Sequence, residues 1–256
     1  MGGRVLREAW LRLASPFRDF GPAAGSLYVV DRVLRRISPR LGLQVYEFMV
    51  QPIGGARLLP AGLSRNLVAR EIVEGDAAID QMPALAHIKA QRFRQGARCL
   101  GVYRKGQLLG YSWYVRGRYE EDEVRCTYEL AQREVSVFDF DFYVLPEHRM
   151  GIAFLAVWQA LNETLVPQGV RCTFSRMTRF NLASRRAHAR LGAKRVGSAV
   201  FMQAWGVELM ASTVAPWVGM TWRPSQRVVL RLHPDVLQQA ARAGEAAVPG
   251  EERIIG

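Results

Sequence analysis

Residues 135–145, VSVFDFDFYVL, alternate as a strand does and run through Pro146 into an apolar helical stretch from Gly151 to Leu165. Successive strand side chains point to opposite faces, so Val137, Asp139, Asp141 and Tyr143 are expected on one face and Phe138, Phe140, Phe142 and Val144 on the other. Proline carries no N–H for a ladder and stops the strand. The connecting stretch VLPEHRMGIA, Val144 to Ala153, thus delivers the chain from a strand into a helix N-terminus, with small residues Gly151 and Ala153 where the turn closes. Unpaired backbone N–H groups and the positive end of the helix dipole converge at such a turn, which makes it a candidate anion site.

Around this unit the periodicities give further elements. Residues 4–14 and 26–37 read as two amphipathic helices lined with arginine, and LQVYEFMVQ (43–51) as a strand. The Pro/Gly-rich run from Pro52 to Gly62 reads as a linker, placing a boundary before the main unit. RCLGVYR and QLLGYSWYV flank Lys105-Gly106 as a hairpin. VRCTFSR and SAVFMQAW are strands on either side of a helix from Asn181 to Leu191. The tract Glu120 to Glu123 holds four like charges in a row and is expected in a solvated loop. Three regions follow: 1–65 as a basic helical extension with a strand, 66–205 as the main unit, and 206–256 as a C-terminal extension containing Trp217 and Trp222.

Charge restricts the partners. The chain carries 35 Lys and Arg against 23 Asp and Glu, a net +12, which favours phosphates, nucleic acid or an acidic membrane surface. Residues 171–195 hold eight basic residues and no acid, and residues 1–40 hold eight arginines against three acids. Nucleic acid is disfavoured, because Phe174 and Phe180 are the sole aromatics among the arginines of 171–195. The basic N-terminus suits peripheral contact with an anionic membrane. Cys99, Cys126 and Cys172 lie too far apart for a disulfide framework or zinc site, and no metal is expected. A reducing cytoplasm fits this usage, at the inner face of the membrane if the N-terminus docks there. No apolar run reaches the ~18 residues of a membrane span, and charges interrupt any signal-peptide-like centre near the N-terminus.

The order hairpin, strand, V-x-P-E-x-R-x-G-I-A, helix, strand, then N-x-x-S-x-x-A-H-x-x-L-G-A, over roughly residues 66–205, resembles the Gcn5-related N-acetyltransferase (GNAT) superfamily. The resemblance implies an α/β (α+β) fold with a mixed, mostly antiparallel central sheet flanked by helices. It also implies an N-acyltransferase moving an acetyl or other acyl group from acyl-CoA to a primary amine. Acetyl-CoA or another acyl-CoA is then the co-substrate. Its pyrophosphate would lie on the turn formed by His148, Arg149, Met150, Gly151, Ile152 and Ala153, and its pantetheine arm along Phe142, Tyr143 and Val144. Asn181, with Ser184 in the same motif, would reach the pantetheine. The family's turn has the form Q/R-x-x-G-x-G/A, and here His148 takes the first position, which leaves the phosphate-touching side chain open between His148 and Arg149.

Where the family commonly has a tyrosine that protonates the departing thiolate, this chain has His188. Two readings stand for it: a general acid with a pKa suited to neutral pH, or a helix residue facing solvent or phosphate. An amine must lose a proton before it attacks, so a carboxylate near the thioester is expected. Asp139 and Asp141 are the candidates, with Glu129 and Glu134 in reserve. The acceptor is a small-molecule or sugar amine, with amino sugars or polysaccharide precursors suggested by family analogy alone. The alternative is a GNAT-like module that binds acyl-CoA or a partner without turnover.

Overall fold

The computed structural model describes residues 2–235, with side chains from residue 15 onward. Its elements in chain order are α1 (Gly2–Ile37), β1 (Leu41–Pro52), α2 (Ala61–Ser64), β2 (Leu67–Ile72), α3 (Ala86–Arg94), β3 (Arg98–Arg104), β4 (Gln107–Val115) and β5 (Arg118–Glu120). They continue with β6 (Cys126–Leu130), β7 (Ser136–Val144), α4 (Ala153–Leu165), β8 (Cys172–Thr178), α5 (Leu182–Arg190), β9 (Lys194–Ala204), β10 (Val207–Ser212), β11 (Val218–Thr221) and β12 (Val228–Leu232).

Nine strands form one sheet in the order β11-β10-β9-β1-β8-β7-β4-β3-β2. Every neighbouring pair is antiparallel except β7 and β8, which α4 joins by a crossover. A second sheet, β12-β6-β5, packs its Tyr119 and Tyr128 rings on Phe138 of β7. One face of the large sheet therefore lies under this small sheet, and the other under helices.

The helix-covered face is built by α4, whose Ala153, Ala156, Val157, Trp158, Ala160, Leu161 and Leu165 are all buried. Gly110 of β4 lets the layers close: a Cβ there would lie 2.7 Å from the Tyr143 carbonyl oxygen and 3.2 Å from Val157. The opposite core is aromatic, with Trp113, Tyr46, Tyr111, Tyr119, Tyr128, Phe48, Phe138, Phe174 and Phe201 each under 2% exposed.

Three expectations change. Residues 41–52 are no appendage: β1 sits between β8 and β9 at the heart of the sheet, so no boundary falls at the Pro/Gly run. The two N-terminal helices form one element broken at Gly21, which has φ 79°. In residues 206–235, β10 and β11 extend the sheet while β12 joins the small one; the remainder of the C-terminal region, 236–256, lies outside the described residues.

Candidate active site

The site begins with an irregularity in β7. Trp113 of β4 pairs with Phe140 and Tyr111 with Tyr143, so Ser112 alone stands against both Asp141 and Phe142. This is a β-bulge, and Asp141 takes the left-handed conformation, φ 46°. Aspartate tolerates that conformation better than most residues because its short side chain bonds locally. The extra residue resets the alternation. Phe140 and Asp141 both face the small sheet, where Arg92 lies over the Phe140 ring and 2.5 Å from the Asp141 carboxylate. Asp139 faces the helices beside Thr173, as does Phe142, which stacks on Trp158. The expectation that Asp139 and Asp141 share a face is therefore corrected.

Immediately beyond, β7 and β8 part. Their parallel pairing covers only Ser136–Phe138 against Cys172–Phe174; afterwards β8 follows β1 and β7 follows β4. A wedge opens between them, with Asp139 at its apex and Phe142 to Val144 along one side. Asp139 is 1% exposed, and one of its carboxylate oxygens has no hydrogen-bond partner among the described residues. Burial pushes its carboxyl up to about 7, partly opposed by the Thr173 hydroxyl and the local backbone.

His188 enters the helix side of the wedge. Its Nδ1 lies 3.1 Å from Gln51 Oε1, and its ring meets Phe142, Phe154 and Trp158 edge-on at 5.9, 5.5 and 5.3 Å. It faces neither solvent nor the turn. Desolvation lowers its pKa to about 4, so the ring is neutral at neutral pH. This disfavours the imidazolium that a general acid would carry at neutral pH, and the expectation of a ring facing solvent or phosphate is corrected to a buried, packed ring.

On the small-sheet face, Arg92 bridges Asp141 and Asp122, the latter at 2.7 Å. Arg176 of β8 holds Glu121 at 2.8 Å and Glu123 at 3.1 Å, and the Tyr46 hydroxyl donates to Glu123. Half of the acidic tract is not solvated: Glu121 is 1% exposed and the Asp122 side chain 9%, while Glu120 and Glu123 keep contact with solvent. Arginines from α3 and β8 meet these carboxylates inside the protein and offset their desolvation. Burial still raises the Glu121 pKa, against the lowering effect of Arg176. A recess of about 330 Å³ opens here, lined by Glu121, Asp122, Glu123, Glu208, Arg125 and Arg227 among others. Two of its walls are thus tied to the two strands of the wedge.

The turn after β7 is a single tight helical turn, Pro146–His148, followed by α4, whose N-cap residue Ile152 makes no capping bond. The N–H groups of the first helical turn are left free of intrahelical partners. Met150 is wholly exposed. A Cβ on Gly151 would meet only the His148 carbonyl oxygen, at 3.5 Å. Arg149 folds back instead of outward: its Nε donates to the Val144 carbonyl at 3.2 Å and its guanidinium lies 5.4 Å from the Tyr143 ring centre. Asn181 caps α5, its Oδ1 accepting the Ser184 N–H at 3.1 Å, while the Ser184 hydroxyl lies 3.8 Å from Met177 Sδ.

The basic run of 171–195 is partly neutralised within the fold. Glu47 of β1, 2% exposed, receives Arg185 at 2.7 Å and Arg179 and Arg195 at 3.5 Å. The reserve carboxylates lie elsewhere. Glu129 pairs with Arg231 and Glu134 with Arg133, around an open basin of about 950 Å³ at the other end of β7 from the turn. Sequence reasoning passed over Glu47, Gln51, Arg92 and Arg176. A lone Glu and two Gln within the apolar run LQVYEFMVQ were the available signal for the first two; nothing local marks the arginines.

No protein-family model and no curated protein matches the chain. Its fold is similar to that of several solved structures. One is a protein assigned to the GNAT family of acetyltransferases from Novosphingobium aromaticivorans, with 14% identity, TM-score 0.42, and coverage of 63% of this chain and 64% of that one. Another, from Staphylococcus epidermidis and of unknown function, has 13% identity, TM-score 0.47, and coverage of 68% and 66%. A third, a GCN5-related N-acetyltransferase from Kribbella flavida, has 13% identity, TM-score 0.38, and coverage of 64% and 61%. The chain spans less than two thirds of the length of each.

Proposed function

We propose that the chain is an acyl-CoA-dependent N-acyltransferase of the GNAT type that works in the wedge between β7 and β8. The observation that carries this is the coincidence of three features along one strand and the helix it feeds: the bulge at Asp141, the parting of β7 from β8 after Phe138, and the uncapped start of α4 nine residues after the strand ends at Val144. The resemblance of the V-x-P-E-x-R-x-G-I-A segment supports the same reading.

In this reading the cofactor's pyrophosphate lies on the free N–H groups from Ile152 to Leu155, where the helix dipole favours negative charge. The pantetheine arm runs along Phe142 to Val144, whose peptide groups on the β8 side have lost their strand partner. Arg149 leaves the Val144 carbonyl as the arm arrives. The thioester then sits near the apex, and the amine approaches from the recess beside Arg92 and Glu121.

The amine must be neutral to attack, because an ammonium has no lone pair. A carboxylate with a pKa near 7 is suited to take that proton, and Asp139 is the group we assign. The proton taken by Asp139 passes to solvent; the new C–N bond then forms as the C–S bond breaks, and the second proton lost by the nitrogen resides on the released thiol. Asp141, held by Arg92, keeps the bulge and the recess in register.

A second reading, binding of acyl-CoA without turnover, draws on one observation: the α5 residue in the thiolate-facing position is a neutral histidine packed among aromatics. One experiment separates the two. Acetyl-CoA is titrated calorimetrically, and free CoA release is then followed with a panel of primary amines, amino sugars included. Binding with amine-dependent release is the expected result; binding without release for any amine supports the second reading, and no binding removes both.

A further inference from the structure

The helix-covered face of the sheet continues outward beyond the last helix. Leu43 of β1, Met202 of β9, Leu209 of β10 and Met220 of β11 are successive cross-strand partners, so their side chains form one row on one face. Their exposure is 7, 40, 39 and 55% in that order. Leu43 lies under α1, whose Asp31 carboxylate accepts the Leu43 N–H at 2.9 Å. The parallel row of Val45, Val200, Ala211 and Val218 runs from 3% exposed at Val45 to 75% at Val218. The other face of the same strands is core, with Phe201 at 0% and Met210 at 4%.

On the outward face of β9, β10 and β11 every residue from these two rows and the next pair, Ala204 and Val207, is apolar, and none is acidic. Three tryptophans rim it. Trp205 is 68% exposed at the β9–β10 turn, where its backbone N–H donates to the Arg40 carbonyl; Trp217 and Trp222, 71 and 54% exposed, stand at the two ends of β11. Helix α1, packed on the adjacent strand β1, adds exposed Val30, Val33 and Ile37 at helical spacing together with exposed Arg32 and Arg36, and Arg40 is exposed in the turn that follows it.

We propose that this face, the outer β9–β11 surface with the flank of α1, rests on an anionic phospholipid bilayer. Tryptophan has an apolar body and one polar N–H, which suits the headgroup boundary. Arginines at the edge of an apolar, acid-free surface supply attraction to anionic headgroups, and the two contributions act together. The expectation of membrane contact through the basic N-terminus alone is thereby moved onto a composite of helix and sheet. Among the described residues no helix is long and apolar enough to cross a membrane, so the contact proposed is a surface one. It is independent of the acyltransferase reading, since no residue of the wedge takes part.

The test uses the full chain and vesicles of phosphatidylcholine with or without phosphatidylglycerol. Co-sedimentation is expected with the anionic vesicles and not with the neutral ones, weakening as salt is raised. Tryptophan fluorescence should be quenched by lipids brominated on the acyl chain. Arg32→Gln and Arg36→Gln should each weaken partitioning roughly fivefold, the equivalent of about 1 kcal/mol per charge. The exposed double change Leu209→Ser with Met220→Ser should abolish quenching while circular dichroism is unchanged. Co-sedimentation that these changes leave at the wild-type level overturns the proposal, as does absence of binding to anionic vesicles. A dimer by light scattering that the double change turns into monomer, with no vesicle binding, overturns it in favour of a second copy of the chain as the occupant.

Discussion

The Arg92 guanidinium lies 2.5 Å from the Asp141 carboxylate, and the same side chain reaches Asp122 at 2.7 Å. One arginine, 8% exposed, thus holds a carboxylate from the bulge of β7 and one from the acidic tract. It joins the strand that forms the wedge to the loop that lines the recess. Removing a partner from such a cluster leaves carboxylates in low dielectric without compensation. Arg92→Met should therefore lower unfolding free energy by about 3–5 kcal/mol in urea denaturation, and Arg92→Lys by less. A loss below about 1 kcal/mol would mean that the three groups are solvated in solution.

Asp139→Asn separates charge from shape at the apex. A carboxyl raised from 3.8 to about 7 holds a proton in the folded state that the unfolded chain has lost. Wild-type stability then falls as pH rises between those values. The Asn variant lacks this slope, so its melting temperature should gain on the wild type from pH 4.5 to pH 8, with about 1 kcal/mol or more corresponding to roughly 3 °C. Amine acylation should drop ~10²-fold or more if the carboxylate accepts the proton. A pH-independent difference in melting, together with full activity, would contradict both parts.

His188 has the opposite sign. Its pKa is lowered from 6.5 to about 4, so the folded state excludes a proton that the unfolded chain takes up. Its contribution is fully present above pH 6.5 and is lost as pH falls towards 4. His188→Phe keeps an aromatic ring in the box and should flatten this acid limb in thermal melts. His188→Ala should cost about 2–4 kcal/mol by leaving a cavity among Phe142, Phe154 and Trp158. An unchanged acid limb in the Phe variant would show that folding does not lower the histidine's pKa.

Gly151→Glu tests the turn with little risk to the fold, because the space beside Gly151 is open apart from one carbonyl oxygen. A carboxylate among the free N–H groups competes with phosphate for them. Calorimetric affinity for acetyl-CoA should fall at least ~100-fold, while the melting temperature stays within about 2 °C of wild type, within the usual range for a surface change. Wild-type affinity in this variant would place the phosphates elsewhere.

Much of this architecture is written locally. The period of β7, the proline that ends it, the apolar helix that follows and the hairpin at Lys105-Gly106 depend on residues within a turn or two of one another, and each can be read without the rest of the chain. The faces of β7 cannot. Period-2 alternation holds for a regular strand, and the bulge that moves Asp141 to the face opposite Asp139 exists because Ser112 of β4, some thirty residues away, pairs against two residues at once. The same applies to charge. Four consecutive acids read as solvated because desolvating them alone is prohibitive, and only Arg92 and Arg176, brought from α3 and β8, make Glu121 and Asp122 tolerable inside. His188 carries its ordinary pKa in the sequence and loses it to an aromatic box assembled from β7, α4 and α5. Likewise, nothing near residues 41–52 announces that they pair with strands more than a hundred residues later. Local chemistry determined which elements form; long-range pairing and burial decided which side chains meet, because desolvation and strand register are properties of the assembled sheet.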